Sequence, residues 1–338
     1  MLYRPEIDGL RALAIISVIL YHAGFAIFNG GFVGVDVFFV ISGYLITTIL
    51  IQEFKEKQFS IVSFYERRAR RILPALLIVL LINYLVACFL FLPGNLKIVG
   101  QYSVSAILSA TNILLYLKGN DYFGLESGSN PLFHTWSLGV EEQYYLIIPI
   151  LMTIFWSSKK YLQFTLFNCA AFISFAFIVY NSDDESFNFY MIVSRAWELA
   201  AGSIVAVVMV YKTLLTGNAF YASLGVFLII TSILFLKNTS DALHLQLIAP
   251  VIGSSLVIIF ANKNNFIGRV LRIRLIVFIG LISYSLYLWH VPLLVYYRYV
   301  IGKDDPTLIP YFFILFIVSI ASYRLVEQPF RNRELVSV

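Results

Sequence analysis

Charge is what this chain has least of. Only 13% of its 338 residues are Asp, Glu, Lys or Arg, about half the share of a soluble domain. Runs of about 18 or more apolar residues recur along it, which excludes a soluble globular protein and indicates an all-α, polytopic membrane protein. Cysteine is also scarce. The two present, Cys88 and Cys169, each fall inside an apolar run, so they give no disulfide framework and report no redox compartment. No His/Cys/Asp/Glu group has metal-ligand spacing, and no internal repeat or low-complexity segment stands out. Basic residues do not interleave with aromatics, so the net charge of +5 reads as topogenic loops with no nucleic-acid partner. The first apolar run is too long for a signal peptide and lacks a small-residue cleavage site, so it reads as a retained span. Loops are short throughout, and residues 1–338 read as a single integral-membrane domain.

What is present is organised around the first hairpin, Asp8 to Thr47, which reads IDGLRALAIISVILYHAGF, NGG, then FVGVDVFFVISGYLIT. An apolar helix over about Leu10–Phe28 carries His22 near its middle. Ionisable groups inside a bilayer are costly and face a bundle interior or a wet cavity. Arg11 lies eleven residues earlier, within about 20° of the same helix face and about 16 Å nearer the entry side. The next helix starts near Phe32, which puts Asp36 at about the depth of His22. Asp36 is therefore a candidate partner that would fix the imidazole tautomer.

Further spans are expected at about 72–92, then one that opens with Glu141 and Glu142 and ends near Trp156, and at about 161–180, 194–211, 219–236, 245–261, 276–297 and 308–325. The stretch 101–117 is apolar but weakened by Gln101, Ser103, Ser105, Ser109, Thr111 and Asn112. If it does not cross and the N-terminus is cytoplasmic, about 18 basic residues fall inside and about 5 outside. If it crosses, the tally becomes about 12 against about 11 and the bias disappears. The expectation is therefore ten spans, both termini cytoplasmic, and a re-entrant or interfacial helix at 101–117, tolerable only where it is buried or lines a wet cavity.

That topology puts the basic run Glu66-Arg67-Arg68-Ala69-Arg70-Arg71 inside. It puts His134, Glu141 and Glu142 near the outer surface, with His134, Ser137 and Glu141 on one helix face. Ser283, Tyr287 and His290 share a face of a later span. Arg195 and Glu198, three apart, read as an intramembrane ion pair, and the glycines of the second helix as points of close helix approach. A polyanionic donor on the inside and a protonatable acceptor site facing outwards fit this polarity.

Seven stretches, PEIDGLRALAIISVILYH, GGFVGVDVFFVISGYLIT, FYERRARRILP, HTWSLGVEEQYY, SRAWELAAG, ISYSLYLWHVP and EQPFRN, together resemble, in order, the acyltransferase-3 family of membrane acyltransferases. The resemblance runs from Tyr3 to about Arg331. It implies transfer of an acyl group, most commonly acetyl, from cytoplasmic acetyl-CoA to a hydroxyl of a surface polysaccharide or lipid-linked glycan at the bacterial inner membrane. It also implies His22 as the essential histidine and Arg11 as its companion, with the Arg68–Arg71 pair, flanked by Arg67, binding the donor.

Asp36, His134, Glu141 and Glu142 join His22 as candidate catalytic residues. Trp136, Ser283, Tyr287 and His290 are candidate substrate-lining residues. Some relatives continue into an extracytoplasmic SGNH hydrolase-like domain. Ending at Val338, the chain is expected to be a stand-alone form, a shortened one, or the partner of a separate esterase-type protein. His22 is expected to act as covalent acyl acceptor or as general base. The competing reading is a proton-coupled transporter or glycan flippase with His22 and Asp36 as relay; a non-catalytic scaffold is the blander one.

Overall fold

The structure, a computed structural model, describes residues 3–119, 130–156, 160–211, 217–237, 243–302 and 307–332. The polar loop over 120–129 and most of the SSKK run lie outside the described residues. Among the described residues every regular element is helical.

Helix α1 (Pro5–Ala23) starts on a proline at its first position and ends at Gly24, whose φ of 89° is left-handed and whose N–H caps Leu20 O and Tyr21 O. A glycine just past the last helical residue is a standard stop signal. It places His22 in the last turn, not near the middle of a helix reaching Phe28. Helix α2 (Gly34–Lys55) follows two short 3-10 turns. Helix α3 (Ile61–Leu90) is opened by Ser60, whose hydroxyl accepts from Ser63 N–H at 3.4 Å, and at 30 residues it is about 45 Å long.

The stretch 101–117 is not one helix. Helix α4 (Pro93–Ile107) and helix α5 (Thr111–Leu117) are separated at Ser109, whose φ is +54°, a backbone region non-glycine residues seldom enter. Buried hydroxyls hold the break. Ser105 Oγ and Thr111 Oγ1 lie 3.1 Å apart, and Thr135 Oγ1 donates to Thr111 Oγ1 at 3.1 Å.

Next come α6 (Trp136–Phe155), α7 (Lys160–Tyr180), α8 (Glu185–Tyr190) and α9 (Ile192–Tyr211), then α10 (Ala219–Phe235), α11 (Leu243–Gln246) and α12 (Ile248–Phe260). The chain continues through α13 (Phe266–Leu271), α14 (Arg274–Leu281), α15 (Ser283–Ile301) and α16 (Ile309–Ser322). A π-helical turn, Tyr323–Glu327, leads into α17 (Gln328–Arg331).

Among the described residues, six stretches are long and apolar enough to cross a membrane: Gly31–Lys55, Ile61–Leu90, Phe133–Phe155, Leu162–Tyr180, Glu185–Tyr211 and Ile309–Arg331. The pair α14 and α15 makes a seventh if it counts as one interrupted span. The expected span over 276–297 is thus broken at Ile282. Helices α10 and α12 are apolar but shorter. Helix α1 carries Glu6, Asp8 and Arg11 in its first two turns and ends at Ala23, which leaves only residues 12–23 as its apolar run. The chain is a polytopic helical membrane protein.

The chain divides into two compact units, one of residues 1–59 with 143–283, the other of 60–142 with 284–338. In the first, α2 packs along α9, α1 along α2 and α14, α7 along α9, and α10 along α12. The α2–α9 approach is limited by two glycines. A Cβ on Gly43 would run into the carbonyl of Leu199, and one on Gly202 into the carbonyl of Val40. Close backbone contact of this kind is how helices associate where lipid is as apolar as the side chains. Gly202→Val is expected to cost about 1–3 kcal/mol or more, read as a lower thermal midpoint in detergent; an unchanged midpoint would mean the two backbones are not in contact. In the second unit α3 packs against α4, α17 and the π turn. Tyr284 Oη donates to Ile72 O at 3.0 Å, and Tyr296 Oη bonds Asn83 Oδ1 at 2.7 Å.

Candidate active site

In the first unit the site begins on α1. Helix α1 is unbroken from Arg11 to His22, so the helical spacing of the two holds along one rod. His22 is half-buried, and its Nδ1 lies 2.9 Å from Val18 O. A carbonyl can only accept, so Nδ1 carries the proton and Nε2 presents the lone pair. The carbonyl one turn back therefore does the orienting expected of Asp36. Arg11 Nη1 contacts Asp8 Oδ1 at 3.5 Å, and Tyr3 Oη donates to Asp8 Oδ2 at 2.8 Å.

The expectation that Asp36 partners His22 is corrected by the register of the hairpin. Gly31 packs on Ser17 and Tyr21, and Gly34 on Ala14, Ser17 and Val18. Because the helices of the hairpin run antiparallel and Gly34 already meets Ala14 and Val18, Asp36 lies deeper than His22. There Asp36 Oδ1 accepts from Arg195 Nη2 at 2.7 Å. Arg195 Nη1 also stands 3.0 Å from Glu198 Oε1, so the expected Arg195–Glu198 pair is present as part of a triad. The side chains of all three are at most 4% exposed. Phe39 and Phe189 cover the guanidinium, with ring centroids 5.7 and 5.5 Å from its carbon.

In the second unit, Arg67 Nη1 donates to Ser63 Oγ at 2.9 Å, Arg70 pairs with Glu66 at 2.9 Å, and Arg68 lies over the Phe64 ring at 5.9 Å. Arg68 and Arg71 both stand within electrostatic reach of Glu142, as does its neighbour Glu141. The expected placement of Glu141 and Glu142 near the outer surface therefore does not set them apart from Arg68 and Arg71. Glu142 sits nine residues past Phe133, about 14 Å along the span, far enough to bring it towards the arginine-bearing turns of α3.

His134 lies in the 3-10 turn Phe133–Thr135 ahead of α6, so its expected helical register with Ser137 and Glu141 does not hold. Other contacts hold it instead. Tyr287 Oη donates to the His134 carbonyl, and Ser137 Oγ lies 2.6 Å from Tyr287 Oη. His134 and His290 rings are 5.0 Å apart, His134 and Tyr287 5.1 Å. His290 Nδ1 lies 2.6 Å from Tyr287 O, which fixes Nε2 as its basic nitrogen by the argument used for His22. The two histidines are at most 1% exposed, Trp136 is buried, and Ser283 is buried at the first residue of α15. The structure thus assembles His134, Ser137, Tyr287 and His290 in one unit, and His22 and Arg11 on one helix of the other.

Three features escaped the sequence reading. The Val18 carbonyl is invisible to side-chain patterns. The link from Arg195 to Asp36 spans 159 positions and carries no local signal. Glu327, in the EQPFRN stretch, is aimed inwards by the π turn, where it accepts from Ser285 Oγ and pairs with Arg331 at 3.0 Å. An acid buried at a π turn was a signal only after the turn was seen; such turns often mark functional positions.

The profile of an acyltransferase domain, acyltransferase-3, matches residues 4–323. The chain is 30% identical, over 99% of its length, to the peptidoglycan O-acetyltransferase OatA of Listeria monocytogenes, covering 57% of that protein. It is 30% identical over 98% of its length to the O-acetyltransferase OatA of Staphylococcus aureus and 31% to a putative O-acetyltransferase of the same species, covering 58% of each. The chain therefore spans somewhat more than half the length of these relatives. No solved structure matches it. On the match of nearly its whole length, the chain belongs to the acyltransferase-3 family.

Proposed function

We propose that this domain transfers an acyl group, acetyl in the simplest case, from cytoplasmic acetyl-CoA to a hydroxyl of a cell-envelope glycan. The observation that carries the reading is His22, oriented through Nδ1 by Val18 O, on the same unbroken helix as Arg11. Relatives named for O-acetylation, one of them of peptidoglycan, support a carbohydrate hydroxyl of that class as acceptor.

The residues 1–338 act as one membrane domain of the bacterial cytoplasmic membrane, with ten crossings, cytoplasmic termini and 101–117 re-entrant. The break at Ser109 and the positive-inside bias support that topology. The donor enters from the cytoplasm. Its phosphates meet Arg68 and Arg71, with Arg67 beside them, since guanidinium forks match phosphate oxygens. Arg11, on the helix that carries His22, takes part in donor binding. Nε2 then either attacks the thioester carbonyl, releasing the CoA thiol and forming an acyl-imidazole that the glycan hydroxyl cleaves, or takes the proton of that hydroxyl as it attacks the thioester directly. At the C-terminal end of α1 the helix dipole favours the positive imidazolium that either route forms. His134 and His290, with Tyr287 and Ser137, serve the acceptor side. An SGNH-type esterase protein, or such a domain beyond this stretch, is the expected partner.

The transporter reading loses one of its two relay groups, because Asp36 is paired with Arg195. The test is acyl transfer by purified protein in liposomes, with labelled acetyl-CoA on exposed cytoplasmic faces and envelope glycan as acceptor. Donor-dependent CoA release supports the enzyme; proton-coupled uptake with no donor consumed overturns it. In the same assay, alanine at both Arg68 and Arg71 is expected to raise the acetyl-CoA KM roughly 10–100-fold, from loss of charge-assisted hydrogen bonds. An unchanged KM would remove the two arginines from the donor site.

A further inference from the structure

The SRAWELAAG stretch has no part in the acyl relay, yet it builds the most deeply buried charge cluster of the first unit. Asp36, Arg195 and Glu198 bring two carboxyl groups to one guanidinium, and the residues are 0%, 3% and 0% exposed. Each carboxyl takes one contact from its own Nη of the arginine. That leaves Asp36 Oδ2 and Glu198 Oε2 buried with no hydrogen-bond donor. Both acids meet at the one guanidinium, and two carboxylates cannot bond to each other without a proton between them. Two ionised acids and one guanidinium would leave a full negative charge at membrane depth, behind Phe39 and Phe189, where an uncompensated charge is strongly disfavoured.

We propose that Asp36 and Glu198 form a buried proton-binding site that holds one proton between the two carboxyl groups and makes the triad neutral. The ligand is the proton itself: one carboxylate becomes a carboxylic acid, its O–H donates to the other carboxylate, and Arg195 balances the remaining negative charge. The bound proton lets α2 carry an acid through the bilayer and locks it to α9 at the Gly43–Gly202 approach. It also makes Asp36 a fixed structural group and not a relay for His22. Nothing in this proposal depends on the acyltransferase reading, and its test does not use turnover.

The test is infrared difference spectroscopy of the full chain, purified in detergent, comparing wild type with Asp36→Asn, with Glu198→Gln and with the double variant. An amide copies the protonated acid, so each single variant is expected to fold with a yield within about twofold of wild type. Each is expected to lose one deuterium-sensitive carboxylic-acid C=O band, because the acid that remains ionises to pair with Arg195. The double variant strands Arg195 without an anion and is expected to give at least a tenfold lower folded yield than either single. A carboxylic-acid band unchanged in either single variant overturns the proposal, as does failure of both single variants to fold. A double variant as abundant as the singles overturns it too, since the guanidinium would then need no anion.

Discussion

His22→Ala is expected to lower acyl transfer by about 10²–10⁴-fold, the usual loss when a positioned base or nucleophile is removed, while folded yield stays near that of wild type. The His22 ring is oriented by a hydrogen bond from Nδ1 to Val18 O. That carbonyl lies within a helix whose backbone bonds do not depend on it, so truncation removes chemistry and leaves α1 intact. Two readouts make the result specific. With labelled acetyl donor and no acceptor, retention of label on wild type but not on His22→Ala indicates the acyl-imidazole. CoA release only when glycan is supplied, with no label retained, indicates the general-base route. Residual transfer within about threefold of wild type would show that proton transfer and nucleophilic attack happen elsewhere, and His134 or His290 would then be the group to change.

Much of this was legible in the sequence, and the places where it was not share a cause. Membrane class and helical fold follow from composition and apolar runs, signals that act locally; the hydroxyls among apolar residues set 101–117 apart but did not show that the helix breaks at Ser109. The Arg195–Glu198 pair was legible because three residues on a helix place side chains together. Asp36 was misassigned because depth was counted from the surface, whereas the true register is set by where Gly31 and Gly34 let α2 touch α1. The end of α1 at Gly24 was available in the sequence as a glycine following a periodic stretch, but the apolar residues Phe25 to Phe28 masked it. The reach of Glu142 to Arg68 and Arg71 was not legible because loop counting says on which side a helix begins and not how far along it a side chain lies. Tyr287 and His290 were placed on one face by their spacing, but their meeting with His134 joins positions 153 apart, and no local pattern reports such a contact.

Arg195→Ala is the substitution expected to damage the fold most. It removes the single cation that serves two buried acids, and breaking a buried pair by deleting one partner costs about 3–5 kcal/mol because the other charge is left without compensation. Against a total stability of about 5–15 kcal/mol, that is a large fraction. It also removes the guanidinium from between Phe39 and Phe189. The expected reading is a fall in folded yield and in thermal midpoint in detergent larger than that of Gly202→Val. Arg195→Lys should recover only part of the loss. An ammonium is a single point of charge, whereas Nη2 reaches Asp36 at 2.7 Å and Nη1 reaches Glu198 at 3.0 Å, a two-pronged geometry that lysine cannot copy. The decisive comparison places Arg195→Ala on a background of Asp36→Asn with Glu198→Gln. If the damage comes from stranded charge, the triple variant should be more stable than Arg195→Ala alone, with a coupling of about 0.5–3 kcal/mol between sites in one network. If the triple variant is instead the least stable of the set, the arginine works by filling space between α2, α8 and α9, and the charges around it are secondary.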